Sequence, residues 1–230
     1  PPGRVSTVPS AGLAPLRVDG RLDRLRGLLD PAGLDALLVT SNTNVRYLTG
    51  FTGSAGSLWV DVDRAVLVTD GRYRDQAPDQ VAAAGAVADV VVVSGVDRSP
   101  ITSLAAERSR VGLEAGSITW SEQLRLVDLL SGPPVATDGL VEGLRELKDE
   151  GEVDRIAEAA AIADKALAGV LPSILAGAVE EEIASALDHA VRSGGASDRA
   201  FETIVAAGPN SALPHARPGL RPMLDGDLVV

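Results

Sequence analysis

Side chains that exchange protons near neutral pH are few in this 230-residue chain. There are two histidines, His189 and His215, and no cysteine. Thiolate nucleophiles, thiolate metal sites and disulfides are therefore excluded. Histidine exchanges protons near neutral pH, so both positions matter. His215 lies in Gly208-Pro-Asn-Ser-Ala-Leu-Pro-His-Ala-Arg-Pro218, directly after an expected strand. Pro214 and Pro218 restrict the backbone on either side, which lowers the entropy cost of aiming an imidazole. Loops held by a scaffold are where chemistry concentrates. On the residues alone two readings stay open: a functional imidazole, or a surface-loop histidine that caps a neighbour. His189, in Asp188-His189-Ala190, falls inside an expected helix near its core face and reads as structural.

Three other groups invite chemistry. Gly50, Gly53 and Gly56 lack the GxGxxG order and the Gly-Lys-Ser/Thr ending of a phosphate loop, and they precede a strand. A loop that packs through its backbone is the preferred reading. Ser54 lacks the glycine two residues earlier that a nucleophile elbow requires, since Thr52 stands there. Asp225 and Asp227, two apart, would share one face of a strand and could share an ion. Asp-Gly-Asp is also ordinary turn chemistry, and the turn is preferred.

The elements that must position these groups follow from periodicity. Asp19 can cap a helix with Leu22, Leu25, Leu28 and Leu29 on one face. A β-type run, Ala36 to Thr40, and a polar turn, Ser41 to Asn44, come next. Ser57–Val62 and Ala65–Thr69 flank Asp63-Arg64 as a hairpin with a two-residue turn. A helix from Asp70 through Val81, a buried strand Val90–Val93, a helix near Ile101–Arg108 and a strand Val111–Leu113 follow. Ser121 can cap a helix carrying Leu124, Val127 and Leu130, while Val135–Thr137 is too short to assign. This alternation over residues 18–137 predicts a compact α/β domain, and the adjacent strand pair makes its sheet mixed. A charged, helix-prone stretch, residues 138–151, marks the junction. Beyond it the spacing predicts a helix, Glu150–Leu171, buried through Ile156, Ala160, Ala163, Leu167 and Val170. A second helix, Glu180–Arg192, turns Ile183, Ala186, Leu187 and Ala190 inward, and Phe201–Ala206 reads as a strand. The domain boundaries expected are an arm rich in Pro, Gly and Ser over residues 1–17, a first domain over 18–140 and a second over 141–230.

Composition limits the partners. Thirty-two acidic against 21 basic residues give a net charge of −11, so nucleic acid and anionic membrane are poor partners. Apolar stretches such as Val87–Val93 are too short to cross a bilayer. Residues 1–15 lack the charged and apolar regions of a signal peptide. A cytoplasmic location is expected.

Several stretches resemble one family. Phe201-Glu-Thr-Ile-Val-Ala-Ala-Gly-Pro-Asn-Ser-Ala-Leu-Pro-His215, then Arg217-Pro218, then Gly226-Asp-Leu-Val-Val230, are similar to the Xaa-Pro aminopeptidase and prolidase group of the creatinase/methionine aminopeptidase superfamily. Asn44-Val-Arg-Tyr-Leu-Thr-Gly-Phe-Thr-Gly53 and Thr69-Asp-Gly-Arg-Tyr73 resemble its N-terminal domain, and Leu147-Lys-Asp-Glu150 the approach to its catalytic domain. The resemblance implies a creatinase-type mixed-sheet domain followed by the first half of a pita-bread (α+β) catalytic domain. It implies hydrolysis of peptides with proline in second position. Two divalent metal ions, Mn2+ or alternatively Zn2+ or Co2+, would activate water, held by two Asp, one His and two Glu that all lie beyond Val230. Asp227 matches a turn residue of the family and is not a ligand, so no metal is expected on these residues alone. His215 is the residue the resemblance makes catalytic and substrate-binding, stabilising the tetrahedral intermediate. A homo-oligomer, dimer or tetramer, is implied. A dipeptide-specific prolidase and a non-catalytic pita-bread module that binds peptides or a protein partner are the alternatives. Arg72 and Tyr73 stay unassigned. The half-domain is expected to expose apolar surface and to be unstable alone.

Overall fold

The computed structural model describes residues 13, 16–95 and 97–230. Most of the expected arm lies outside the described residues. Two compact units divide the chain, one ending at Gly151 and the other beginning at Glu152.

The first unit runs α1 (Arg21–Leu29), β1 (Ala36–Val39), α2 (Asn42–Thr49), β2 (Gly56–Asp61), β3 (Ala65–Asp70), α3 (Gln76–Ala84), β4 (Asp89–Val93), α4 (Ser99–Ala105), β5 (Val111–Glu114), α5 (Trp120–Val127), β6 (Val135–Thr137) and α6 (Leu140–Glu146). The six strands form one sheet in the order β4-β3-β2-β1-β5-β6. β1–β2 and β2–β3 are antiparallel, whereas β3–β4, β1–β5 and β5–β6 are parallel. The sheet is mixed, as expected.

Alternation along the strands sorts the core into two layers. Leu37, Val39, Leu58, Val60 and Leu67 face Leu22, Leu25 and Leu29 of α1, Val45 and Leu48 of α2, Val81 of α3 and Val141 of α6. Ala36, Leu38, Trp59, Val66 and Val68 face Ile101 and Leu104 of α4 and Leu126 of α5. Each fully buried Leu is worth about 1.5–3 kcal/mol relative to exposure. The sheet is thus covered on both faces.

Several local expectations need correction. Gly20, in the left-handed region, takes the N-cap position of α1, and the Asp19 carboxylate pairs with Arg17 at 2.8 Å instead of capping the helix. Ser41–Asn44 is not a turn. Ser41 is the N-cap of α2, which the apolar spacing of Val45 and Leu48 pulls onto the core. The hairpin turn shifts by one residue: Asp61 N donates to Arg64 O. The Asp61 carboxylate accepts from the amides of Asp63 and Arg64, so Val62-Asp63 forms the loop. Asp70 ends β3 and caps a short 3-10 helix, Gly71–Tyr73, so α3 begins only at Gln76. β4 is an edge strand and only half-buried. Thr119, not Ser121, caps α5 through Glu122 N. In α5 the buried residue is Leu126, while Leu124 and Val127 are exposed. Val135–Thr137 pairs with β5 and closes the other edge.

The second unit takes in α7 (Glu150–Val170) from Glu152 onward, together with a 3-10 turn at Leu171–Ser173, α8 (Glu180–Ser193) and a largely irregular segment to Val230. Its core is Val170, Ile183, Ala184, Val205, Ala207 and Met223. In α7 the buried residues are Ile162, Ala166 and Val170. Ile156 is 57% exposed and Leu167 46%. Of the stripe expected to be inward, only Val170 is covered, while Ile156, Ala160, Ala163 and Leu167 are exposed; the rest of the covered face is Ile162 and Ala166. In α8 the buried small residue is Ala184 and Ala186 is exposed. Phe201–Ala206 is not a strand. Pairing starts only at Ala206, which exchanges backbone hydrogen bonds with Val230 at 2.8 and 2.9 Å. No described helix is long and apolar enough to cross a membrane.

Candidate functional site

His215 is exposed on the loop between Ala207 and Gly219. The loop opens with a 3-10 helix, Gly208–Ala212. Turn hydrogen bonds then run from Leu213 N to Asn210 O (3.0 Å) and from Ala216 N to Leu213 O (3.1 Å), with His215 between them. A groove of about 330 Å³ borders the imidazole, lined also by Phe201–Ile204 and Ala216–Pro218. Among the described residues the His215 ring makes no hydrogen bond. An exposed imidazole beside a groove and without an internal partner can donate to, or accept from, a bound molecule.

One carboxylate underlies the loop. Glu180, the first residue of α8, is fully buried, whereas Glu181 and Glu182 beside it are exposed. Its Oε1 accepts from Ala207 N at 2.7 Å and Asn210 Nδ2 at 3.0 Å. Its Oε2 accepts from Asn210 Nδ2 at 3.1 Å and Gly219 N at 3.2 Å. Burial raises its pKa. The donors from Ala207, Asn210 and Gly219 outweigh that and hold it below the ordinary carboxylate value. Sequence reasoning missed Glu180. Three consecutive glutamates at a helix start look like ordinary dipole-stabilising residues, and only tertiary burial separates the first from the others.

Asp227 sits beneath the same loop. Arg221 Nη1 donates to it at 2.7 Å, and Leu224 N at 2.8 Å. Arg221 first, then the Leu224 amide, hold its carboxyl below the usual range. Gly208 has φ +53°, and a Cβ there would lie 2.5 Å from Asp227 Oδ1. Asp225, by contrast, is exposed. Asp227 is thus engaged in a turn. No group of three or more His, Cys, Asp or Glu that could hold a metal ion occurs among the described residues.

The other candidates are not brought to His215. His189 is exposed on α8 and contacts Ser193 Oγ at 3.3 Å, so it is not at a core face. Ser54 Oγ pairs with Tyr73 Oη at 2.8 Å in the first unit, whereas both histidines of the chain lie in the second. In the glycine loop, a Cβ on Gly53 would lie 2.2 Å from the Phe51 ring and one on Gly50 2.4 Å from Ala84 Cβ. These glycines are needed for close backbone packing.

Residues 21–147 match the family model described as creatinase/prolidase N-terminal domain, and residues 154–230 match metallopeptidase family M24. The uncharacterized peptidase YqhT of Bacillus subtilis (strain 168) is 37% identical over 91% of this chain and 59% of its own length. The solved Xaa-Pro dipeptidase from Bacillus anthracis is similar at TM-score 0.87 and 32% identity, over 93% of this chain and 59% of that one. The X-Pro aminopeptidase from Thermotoga maritima MSB8 is similar at TM-score 0.80 and 30% identity, over 90% and 59%. The chain spans about three fifths of the length of these relatives. The chain belongs to the family of the creatinase/prolidase N-terminal domain, and the segment that carries the His215 loop matches metallopeptidase family M24.

Proposed function

We propose that the whole protein is a metal-dependent peptidase that releases the N-terminal residue from peptides with proline in second position, and that His215 binds the substrate. The observation that carries this is the exposed, internally unpartnered His215 imidazole beside its groove, within a segment matching family M24. The described residues do not themselves form a metal site. In the whole protein, two divalent ions held elsewhere would supply a water of lowered pKa and a polarised scissile carbonyl. An imidazole N–H aimed at the carbonyl oxygen strengthens its hydrogen bond as that oxygen gains charge, so it favours the tetrahedral intermediate over the substrate. The flanking prolines and the clamped loop ends keep that donor oriented before substrate arrives.

In the full-length protein, His215→Ala is expected to leave bound metal unchanged and to cut turnover about 100- to 1000-fold. Loss of metal from this variant would show that His215 has a different role. The similar solved structures include both a dipeptidase and an aminopeptidase. Comparing an Xaa-Pro dipeptide with a longer Xaa-Pro peptide decides between them. A homo-oligomer and a cytoplasmic location belong to the same proposal, checked by sedimentation and by fractionation.

A further inference from the structure

We infer that Glu180 is the positioning residue of the His215 loop. This rests on the functional reading of His215 given above. The loop leaves the fold at Ala207 and returns at Gly219, and the amides of both residues donate to opposite oxygens of this one carboxylate. Both ends are thereby pinned within the span of a single side chain, as in a compact Ω-loop. Asn210 ties the first turn to the same group through both oxygens. From Asn210 the turn hydrogen bonds continue to Leu213 and Ala216, the neighbours that bracket His215. The start of α8 grips the returning segment as well, through Glu181 N to Gly219 O at 3.1 Å and Glu180 N to Arg221 O at 3.3 Å.

The choice of residue is informative. Burying a carboxylate is costly unless its lone pairs are filled, and here neutral donors fill them. The nearby cation, Arg221, is bonded to Asp227. A neutral side chain would be cheaper to bury, but no other group of this size offers two acceptor oxygens to donors arriving from both ends of a loop. Glu180 does not touch the groove, so it acts on substrate only through the placement of His215.

The test uses full-length, metal-loaded protein, with Glu180→Gln made in the native and in the His215→Ala background. Gln keeps the volume but sets an NH2 group against one of the incoming N–H donors. Amide hydrogen exchange over residues 207–219 is expected to rise. On an Xaa-Pro peptide kcat is expected to fall about 10- to 1000-fold, bounded by what the imidazole itself supplies, with KM little changed. In the His215→Ala background the same substitution is expected to remove nothing further. Equal losses in both backgrounds would make Glu180 a merely structural residue, and unchanged loop exchange would mean there is no clamp. Either result overturns the inference. If His215→Ala leaves turnover intact, the role of His215 is what fails, and loop exchange in Glu180→Gln still decides whether the clamp exists. Should Glu180→Gln not fold, Asn210→Ala removes only the amide from the clamp and is read by the same comparisons.

Discussion

From Val18 to Gly151, six strands are covered on both faces, and Trp59, Leu37, Leu58 and Leu67 have no exposed surface. From Glu152 onward a smaller core gathers around Ile183, Val205 and Met223. There Ile156, Leu171, Leu175, Leu213, Leu220 and Leu228 stay exposed. Both units are built from amphipathic elements with ordinary periodicity. An apolar stripe states a need for cover without saying where cover will be found. α1 buries Leu22, Leu25 and Leu29 of its expected face because a sheet lies against it. α7 offers an equally apolar stripe, yet packing covers only Val170 of it and takes Ile162 and Ala166 from the face beside it.

The largest effect should separate the units outright. Residues 16–151 expressed alone are expected to melt cooperatively, whereas residues 152–230 alone bind a hydrophobic dye and show no cooperative transition. A sharp melt of the second piece would show that its core suffices by itself. Next in size, Leu58→Ala should cost about 2–5 kcal/mol, measured by urea unfolding. Ile156→Ala in the 230-residue chain should stay within about 0.5 kcal/mol. A large cost for Ile156→Ala appearing only in full-length protein would show that the stripe acquires cover there. Gly50→Ala places a methyl 2.4 Å from Ala84 Cβ at φ +77°, and should cost about 2 kcal/mol in the first unit.

The smallest effect concerns acid. Each unit buries one carboxylate completely, Asp61 in the hairpin and Glu180 under the loop. Burial raises the Asp61 pKa, but Trp59 Nε1 and the amides of Arg64 and Asp63 more than reverse it. Both groups end below their ordinary values. Their stabilisation is therefore fully present above the unfolded-state pKa and is lost as pH falls through the folded one. Urea midpoints should decline from about pH 5 downward, and Asp61→Asn should flatten that slope in the first unit. An unaltered slope would remove Asp61 from the account.

Part of this was legible in the residues. The hairpin shows itself by local alternation, although its turn lies at Val62-Asp63, because the Asp61 side chain captures two amides that no pattern reports. The glycine loop reads as packing, and the Cβ clashes at Gly50 and Gly53 supply the reason. α2 was missed because its polar start, Ser41–Asn44, looks like a turn until Val45 and Leu48 find the core.

The amino-acid order alone determined the mixed α/β class and the proline-flanked loop that presents His215, since alternation, turn residues and proline restraint act between neighbours in the chain. Tertiary structure decided which face of α7 is covered, that Val135–Thr137 is a strand, and that Glu180 rather than Glu181 or Glu182 grips the His215 loop. Each of these depends on partners distant in sequence, and burial and hydrogen bonding between distant residues leave no periodic trace.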